Sequence, residues 1–342
     1  MVMAAPDNIG ERKRSTATHI LIMAGGSGTR FWPKSRSTKP KQLLALWDEK
    51  TLIEHTVERF AGTVALDHVW IVTTEKIVKA TKEVLGEKFS RVRILAEPEG
   101  KNTAACILWG VSEIAKVDPG ATVAVMAADH FIENEKAFLE AVSSATIEAI
   151  EKHSLVTLGI KPDRPETGYG YIEVEGAAKQ SGSAYAVKQF VEKPDLRTAL
   201  KYIESGNFFW NAGMFIFTVK TGLLAFEKCM PELFEIFKGS GTIAEKYSKI
   251  TPHDAVSIDY GVMEAALEKG IPVTVVPAIC GWNDVGAFPA LEDIGRTTRG
   301  EVYTHDSASN IVQTDAGIVA LLGVNDLVVV RDGDVVLVAA KD

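Results

Sequence analysis

The first half of the chain alternates between short apolar runs and amphipathic stretches. The apolar runs predict buried strands at 20–24, 68–74, 91–96, 122–128 and 155–160. The stretches between them predict helices at 52–60, 76–85, about 102–117 and 135–153. Thr51 and Glu54 form a capping-box signature before the first helix, and Asn102 or Thr103 is a candidate cap for the third. Strands that alternate with helices of this length are typical of a parallel sheet covered on both faces.

The pattern changes after residue 167, where strand-like segments follow one another more closely. We expect strands at 185–191, 211–217 and 272–280, a helix capped by Asp195 that runs to Ser205, and a helix at 231–247. After a short passage that begins at about 286, the segment 311–340 is rich in Val, Leu, Gly and Asp, which predicts short β segments without helices. The prediction is therefore an α/β fold with a mixed, mainly parallel sheet. It divides the chain into a disordered tail (1–17), an α/β domain (18–285) and a small β-rich unit (286–342).

Composition narrows the classes of protein that the chain can belong to. The 342 residues are 46% hydrophobic and 24% charged, with a formal net charge of −8, so broad nucleic-acid binding is not expected. No apolar stretch is long enough for a membrane helix, and the N-terminal residues lack the apolar core of a secretory signal. The three cysteines are far apart, without a C-x-x-C motif, and the seven histidines show no H-E-x-x-H motif. We therefore expect a cytoplasmic protein with no nucleic-acid or membrane partner and no zinc site.

A glycine-rich loop with a following basic cluster is the strongest local signal. Gly25, Gly26 and Gly28 come directly after the first predicted strand, where the lack of a Cβ lets backbone amides approach a ligand. Five cationic residues then follow within a short distance: Arg30, Lys34, Arg36, Lys39 and Lys41. The spacing fits neither a Walker A loop nor the G-x-G-x-x-G dinucleotide fingerprint. The loop therefore predicts a phosphate site, and the alternative is a plain strand-to-helix turn with exposed basic side chains.

Two acidic residues are placed where strands end. Asp129 follows the strand at 122–128, and Asp284 follows the strand at 272–280 and the sequence Gly281-Trp-Asn. Ligands in open parallel sheets lie outside the carboxyl ends of the strands, so both side chains are candidates for a shared Mg²⁺. The alternative is that each aspartate merely caps a turn.

Three further segments combine small and polar residues. Glu192-Lys193-Pro194 ends a predicted strand, where Lys193 could bind phosphate and Glu192 could accept hydrogen bonds from hydroxyls. Asn211-Ala-Gly213 and Thr167-Gly-Tyr-Gly170, which includes Gly168, resemble loops in which small residues admit a polar ligand. Ordinary solvated turns remain the alternative for all three.

Eight motifs in order resemble the signature set of one enzyme family. They are Ala24-Gly-Gly-Ser-Gly-Thr-Arg-Phe-Trp-Pro-Lys-Ser-Arg36, Pro40-Lys-Gln42, Glu97-Pro-Glu-Gly-Lys-Asn-Thr-Ala-Ala105, Ala128-Asp-His130, Thr167-Gly-Tyr-Gly-Tyr-Ile172, Phe190-Val-Glu-Lys-Pro194, Trp210-Asn-Ala-Gly-Met-Phe215 and Trp282-Asn-Asp-Val-Gly286. The set resembles the mannose-1-phosphate guanylyltransferases of the sugar-nucleotidyltransferase superfamily. The resemblance implies a GT-A-like, Rossmann-like nucleotidyltransferase domain. It also implies Mg²⁺-assisted formation of GDP-mannose and pyrophosphate from GTP and α-D-mannose 1-phosphate.

The resemblance also implies roles for individual residues. The nucleotide-binding residues would be Gly25, Gly26, Gly28, Thr29 and Arg30 at the phosphates and Glu97, Asn102 and Thr103 at the guanosine. The sugar-binding residues would be Gly168, Glu192, Lys193 and Asn211, and the metal ligands would be Asp129 and Asp284. The catalytic cations would be Arg30, Lys41 and Lys193. Cations and a metal suit this chemistry, because nucleotidyl transfer depends mainly on positioning and on neutralising charge.

The C-terminal unit bears on the assembly of the protein and on its activity. The unit resembles a truncated left-handed β-helix, and such a unit helps relatives to dimerise, so a homodimer is expected. Larger relatives also carry a phosphomannose isomerase unit, for which the sequence to Asp342 leaves no room, so isomerase activity is not expected. The alternatives are a related nucleotidyltransferase with another base or hexose, and a non-catalytic nucleotide-sugar sensor.

Overall fold

A computed structural model describes residues 17–26, 28–178 and 184–341. The predicted disordered tail, apart from its last residue, lies outside the described residues. The strands are β1 (Thr18–Met23), β2 (Val69–Thr74), β3 (Arg93–Glu97), β4 (Thr122–Ala127), β5 (Phe131–Ile132), β6 (Leu155–Ile160), β7 (Gly170–Val174), β8 (Tyr185–Glu192), β9 (Phe208–Thr218), β10 (Val273–Pro277), β11 (Trp282–Asn283), β12 (Thr298–His305), β13 (Ile311–Leu322), β14 (Leu327–Asp332) and β15 (Val335–Ala340). The α-helices are α1 (Leu52–Phe60), α2 (Glu75–Leu85), α3 (Asn102–Val117), α4 (Glu135–Lys152), α5 (Leu196–Ser205), α6 (Val219–Cys229), α7 (Pro231–Lys238), α8 (Ile243–Lys249), α9 (Ala265–Glu268) and α10 (Ala290–Asp293). A π-helical segment, Asp259–Glu264, leads into α9.

Within the described ranges, nine strands form the central sheet, in the order β3-β2-β1-β4-β9-β6-β10-β8-β7. Strands β3, β2, β1 and β4 are mutually parallel, as are β6 and β10. Strand β9 runs antiparallel between β4 and β6. Successive residues of the inner strands point to opposite faces, so that Leu21 and Val123 belong to one apolar cluster and Ile20 and Ala124 to the other. The predicted mixed, mainly parallel α/β sheet covered on both faces is confirmed.

Local signals place most element boundaries within one or two residues. The capping box of Thr51 and Glu54 is present, and the Asp195 side chain caps α5 by accepting a hydrogen bond from the Thr198 amide at 2.8 Å. The predicted cap of α3 is wrong, because Lys101 is the N-cap and Asn102 already lies in the helix. The single helix expected at 231–247 is also wrong. It is broken into α7 and α8 around Gly239 and Gly241, because glycine favours helix ends over helix interiors.

The C-terminal strands form a separate four-stranded sheet. Strands β12, β13 and β14 pair in parallel, and β15 closes the sheet as an antiparallel partner of β14. This β-rich unit packs on the rest of the chain through an apolar cluster that joins Phe31 and Leu44 to Ile311 and Val330. The expected β segments without helices are therefore present from β12 onward, after the short helix α10.

Within the described ranges, every helix is too short or too polar to span a bilayer.

Candidate active site

The glycine loop leaves the carboxyl end of β1 at the centre of the sheet. The Ala24 carbonyl accepts hydrogen bonds from Gln42 Nε2 at 2.6 Å and Thr73 Oγ1 at 2.9 Å, which fixes the start of the loop. Gly28 has a φ of 57°, in the left-handed region, and a Cβ at this position would lie 2.6 Å from the backbone nitrogen of Lys41. Glycine is therefore required here both for its conformation and for the close approach of the segment that carries Lys41.

Lys41 is the central cation of the site. It opens a short 3-10 helix, Lys41–Leu43, and is only 7% exposed. Its Nζ donates a 2.6 Å hydrogen bond to the carbonyl oxygen of Asp284 and lies 2.8 Å from Asp129 Oδ2. One ammonium group therefore joins the two acidic segments that the sequence singled out, although they are separated by more than 150 positions along the chain.

Asp129 follows β4 and is kept ionised by its neighbours. Burial alone would raise its pKa, but the Lys41 ammonium holds the pKa of Asp129 below its ordinary value. His130 accepts a 3.1 Å hydrogen bond at Nδ1 from the Trp282 indole, and burial lowers its pKa, which keeps the ring neutral.

The Asp284 carboxylate is held by Tyr169, whereas Lys41 contacts the Asp284 main chain. The tyrosine hydroxyl donates a 2.9 Å hydrogen bond to Asp284 Oδ1, and burial followed by the nearby Asp284 charge raises the pKa of Tyr169, so it remains a donor. A Cβ at Gly286 would lie 3.3 Å from Asp284 Oδ2 and 3.5 Å from an Arg30 terminal nitrogen. Arg30 and Asp284 therefore converge on the same small volume.

A cavity of about 320 Å³ opens beside the glycine loop. Its walls include most of the residues that the sequence assigned to the nucleotide, together with Asp129: Gly25, Gly26, Glu97, Asn102, Thr103 and Asp129. Asn102 has a φ of 65°, unusual for a non-glycine residue, and its Oδ1 accepts a 2.9 Å hydrogen bond from the Thr103 amide. Thr103 Oγ1 in turn accepts a 2.9 Å hydrogen bond from the Ile258 amide. These bonds fix the start of α3 as one wall of the cavity, which we term the loop cavity.

Glu97 lies at the end of β3 and is 2% exposed. Its Oε1 accepts a 2.8 Å hydrogen bond from the Tyr247 hydroxyl, while a Cβ on Gly25 would lie 3.4 Å from its Oε2. Burial raises the pKa of Glu97 to about 7, and the Tyr247 hydrogen bond only partly opposes that shift. One carboxylate oxygen is therefore fixed by protein while the other faces the glycine loop.

The residues assigned to the sugar lie around β7 and β9. A side chain at Gly170 would collide with Glu192 Oε1 and come within 3.4 Å of Asn211 Cβ, so Glu192 and Asn211 flank Gly170. Asn211 Nδ2 donates a 2.6 Å hydrogen bond to Asp259 Oδ1, and burial raises the pKa of Asp259. Burial and then the Asp259 charge raise the pKa of Glu192 as well.

Two of the sugar-assigned residues are attached to this region through backbone contacts. The Gly168 amide donates a 2.9 Å hydrogen bond to Glu166 Oε1, at the start of the loop that carries Tyr169. The Lys193 amide donates a 3.2 Å hydrogen bond to the Tyr169 carbonyl, and the exposed Lys193 has a φ of 45°. A strained residue of this kind is frequent at functional sites.

Three site residues were missed by the sequence prediction. Tyr169 lies in the motif Thr167-Gly-Tyr-Gly-Tyr-Ile172, but the sequence assigned it no binding or catalytic role. Tyr247 and Asp259 were not predicted to belong to the site. The signal that could have marked Asp259 was an acidic residue between apolar ones in Ile258-Asp-Tyr-Gly-Val262. No local pattern marks Tyr247, because its partner Glu97 is 150 positions away.

Metal-ligand side chains are sparse at the site. Across the described ranges there is no cluster of three or more His, Cys, Asp or Glu side chains that could hold a metal ion. A metal here would therefore have two carboxylates from the protein and would need its remaining ligands from substrate and water.

Comparisons with known proteins give a consistent result. A family model described as "Nucleotidyl transferase" matches residues 19–300, and one described as "MannoseP isomerase/GMP-like beta-helix domain" matches residues 300–342. The mannose-1-phosphate guanylyltransferase of Escherichia coli K12 is 36% identical over an alignment of 343 positions, which covers 94% of this chain and 70% of that protein. The alginate biosynthesis protein AlgA of Pseudomonas aeruginosa is 33% identical over 336 residues, covering 94% and 69% respectively.

Solved structures agree with the sequence relatives. A crystal structure from Thermus thermophilus, described as a "mannose-1-phosphate geranyltransferase", superposes with a TM-score of 0.85 at 36% identity, and the match covers 96% of both chains. A UDP-glucose pyrophosphorylase complexed with UDP-glucose matches with a TM-score of 0.53 at 18% identity, over 81% of this chain and 95% of that one, which shows the shared fold alone.

Proposed function

The chain belongs to the nucleotidyl transferase family, in the group of the mannose-1-phosphate guanylyltransferases, and on that premise we propose how its site works. The enzyme transfers GMP from GTP to α-D-mannose 1-phosphate, forming GDP-mannose and pyrophosphate. The observation that carries the proposal is the convergence of Lys41, Arg30, Asp129 and Asp284 beside the glycine loop.

The reaction joins two anionic substrates, so repulsion between them is the main obstacle. An oxygen of the sugar phosphate attacks the α-phosphorus of GTP, the bond to the β-phosphate oxygen breaks, and pyrophosphate leaves with the electron pair. The nucleophile is already an anion and needs no strong general base. Lys41, Arg30 and Lys193 would supply the positive charge that brings the phosphates together and stabilises the leaving group.

Asp129 and Asp284 would hold Mg²⁺, and their surroundings fit such an ion. Tyr169 engages Asp284 Oδ1 and Lys41 engages Asp129 Oδ2, so each aspartate has its other carboxylate oxygen without a contact from those partners. Mg²⁺ typically takes one or two carboxylates and completes its shell with substrate phosphates and water. When bound, the ion would neutralise charge on the phosphates.

The loop cavity would receive the guanine. The Watson–Crick edge of guanine presents N–H donors, and the free oxygen of the Glu97 carboxylate is an acceptor that faces the glycine loop. Asn102 and Thr103 form the neighbouring wall. Glu192, Asn211 and Gly168 would bind the mannose hydroxyls, and Lys193 would bind the sugar phosphate.

The proposed activity is tested with a matrix of nucleotides and sugar phosphates at equal concentrations. Pyrophosphate release with Mg²⁺ should be fastest with GTP and mannose 1-phosphate and should fall strongly in Asp284→Ala. Faster release with UTP, dTTP or ATP and glucose 1-phosphate would favour a related nucleotidyltransferase instead. Binding of GDP-mannose with no pyrophosphate release from any pair would favour a nucleotide-sugar sensor.

The assembly and location of the enzyme are proposed on separate grounds. Four large aliphatic side chains among the described residues of the C-terminal sheet are more than half exposed: Ile318, Leu322, Val336 and Val338. Exposed large apolar side chains on a sheet are typical of an interface, and a homodimer would cover them. The three cysteines are unpaired thiols, which suits the reducing cytoplasm.

Light scattering tests the dimer. The double variant Ile318→Asp, Leu322→Asp should have half the molecular mass of the unmodified protein in solution. Ile147→Asp, which places one such charge at an exposed apolar position of α4, is the control and should leave the mass unchanged. An unmodified protein that is monomeric at micromolar concentration would contradict the proposal.

A further inference from the structure

A second and larger cavity lies beside the site described above. It encloses about 770 Å³ between the end of α1, the side chain of Trp47 and the segment that runs from β5 into α4. None of the residues that line it lines the loop cavity. We term it the α1–α4 cavity.

Arg59 is the unusual residue of the α1–α4 cavity. It belongs to the last turn of α1 and is only 7% exposed, which is rare for an arginine. Its Nε lies 3.4 Å from Glu135 Oε1, and its guanidinium lies over the Phe138 ring at 5.5 Å. Among the described residues, no acceptor meets hydrogen-bond geometry with the buried Arg59 Nε, and Glu135 is only an ion contact of that atom. A buried cation with five donors and one ion contact leaves much of its hydrogen-bonding capacity for a ligand.

The first turn of α4 provides a second, independent indication of an anion site. This helix of 18 residues begins at Glu135, and Glu133, Asn134 and Glu135 all line the cavity. The Asn134 side chain caps the Ala137 amide at 3.0 Å, and the Asn134 amide itself donates to the Cys280 carbonyl at 3.0 Å. The amides of the first helical residues, Glu135 and Lys136, have no partner within the helix. The positive end of the helix dipole and these donors therefore lie at the wall of the cavity.

The other charges of the cavity are mixed. Arg296 adds a second guanidinium at the exposed rim. Asp48 is paired with His55 at 2.9 Å, the half-exposed Glu135 is the acidic neighbour of Arg59, and Glu133 is a further acid of the lining. Trp47 and Phe131 provide aromatic faces, with ring centroids 5.2 Å apart. The lining thus combines a cationic end, hydrogen-bond acceptors and an apolar wall.

The wall of this cavity is directly connected to both acids of the active site. Strand β5 follows Asp129 and His130 without a break, and it pairs with β11, which immediately precedes Asp284. A ligand packed on Phe131 would therefore contact the two-stranded ribbon that positions both aspartates.

We propose that the α1–α4 cavity is a regulatory site for a phosphate monoester that carries a ring. The phosphate oxygens accept hydrogen bonds from the Arg59 guanidinium and the first amides of α4. The ring packs on Trp47 and Phe131, and its hydroxyl or amino groups donate to the acidic rim.

Isothermal titration calorimetry tests the site with inorganic phosphate, glucose 6-phosphate and AMP as probes. At least one ring-bearing ester should bind saturably and more tightly than inorganic phosphate. Arg59→Met should weaken that binding at least about tenfold, because it removes charge-assisted hydrogen bonds. Glu135→Gln should strengthen it, because it removes the acid that competes for Arg59. Because Glu135→Gln is expected to tighten ester binding, it still tests the site if Arg59→Met folds poorly and loses binding for that reason.

Two controls separate the α1–α4 cavity from the rest of the molecule. Arg91→Met removes an exposed arginine that pairs with Asp67, and it should leave the dissociation constants unchanged. Arg30→Met alters the glycine loop and should also leave ester binding unchanged, although it impairs pyrophosphate release. Absence of saturable binding by all three probes, or equal binding by the unmodified protein, Arg59→Met and Glu135→Gln, would overturn the proposal.

A regulatory role also requires an effect on the active site. The tightest ester, at saturation, should change kcat or the KM for GTP at least about twofold in the unmodified enzyme and not in Arg59→Met. Binding without any kinetic effect would overturn the regulatory part. Since binding is measured directly, its outcome is independent of whether the enzyme makes GDP-mannose.

Discussion

Replacing Glu97 with glutamine should stabilise the fold in alkaline solution while it weakens nucleotide recognition. Glu97 is almost fully buried, and burial raises its pKa to about 7 from an ordinary value near 4.5. The folded state therefore binds a proton more tightly than the unfolded state does, so stability falls as the pH rises from about 4.5 to about 7 and is constant above that. At 1.36 kcal/mol per pKa unit, the full cost of keeping the charged carboxylate buried is about 3 kcal/mol.

Glutamine has the same shape and its amide oxygen can still accept the Tyr247 hydrogen bond, but it carries no charge at any pH. The gain in the free energy of unfolding for Glu97→Gln should therefore be about 2–3 kcal/mol larger at pH 8.5 than at pH 5. Urea denaturation followed by circular dichroism at the two pH values measures this difference. Glu99→Gln is a control, because Glu99 is exposed and pairs with Lys101 at 3.0 Å, so its effect should be small at both pH values.

The same variant separates stability from recognition. Its amide would present a donor where the proposed guanine edge also presents donors, so the KM for GTP should rise at least about tenfold at pH 8. Equal changes in unfolding free energy at pH 5 and pH 8.5 would refute the assigned effect of burial. An unchanged KM for GTP would refute the proposed place of Glu97 at the base.

Three further predictions concern the cationic centre and its supports. Lys41→Met should lower kcat/KM by about 10²–10³-fold in pyrophosphate-release assays, since it removes a positioned cation; an effect below about threefold would contradict the central role of Lys41. Gly28→Ala should lower the free energy of unfolding by more than about 1 kcal/mol and impair catalysis, because the added Cβ collides with the Lys41 backbone. Gly62→Ala is the control: Gly62 also has a positive φ, but a Cβ there would meet no other atom, so this variant should keep full activity. Tyr169→Phe should raise the Mg²⁺ concentration needed for half-maximal activity without a comparable change in the KM for GTP, and an unaltered Mg²⁺ dependence would argue against Asp284 as a ligand.

The parallel half of the fold was predictable because its signals are local. Strand β6 is found where the apolar run Leu155–Ile160 predicts it, and α1 begins after the capping box of Thr51. The antiparallel insertion of β9 between β4 and β6 was not predictable, because pairing depends on contacts distant in sequence. An isolated apolar run gives no information on its neighbour or on its direction.

The candidate active site also contains some residues that the sequence could predict and others that it could not. The glycine loop and the two strand-end aspartates carry local signals, and the structure brings them together through Lys41. Tyr247 and Asp259 act through single long-range hydrogen bonds, to Glu97 and Asn211, which leave no periodic or spacing pattern. The buried position of Arg59 was equally hidden, since an arginine in the last turn of an amphipathic helix is ordinarily exposed.

The packing of Phe31 has a consequence for how this enzyme can be altered. Phe31 ends the short helix that carries Arg30, is fully buried, and meets Phe288 edge to face at 4.9 Å within the cluster that includes Ile311 and Val330. The C-terminal sheet therefore supports the segment that we propose to bind phosphate. A chimera that joins this catalytic domain to a different C-terminal module would have to recreate the apolar packing around Phe31. A substitution that disrupts this packing would displace Arg30 and would lower activity in the same way as the loss of a catalytic cation.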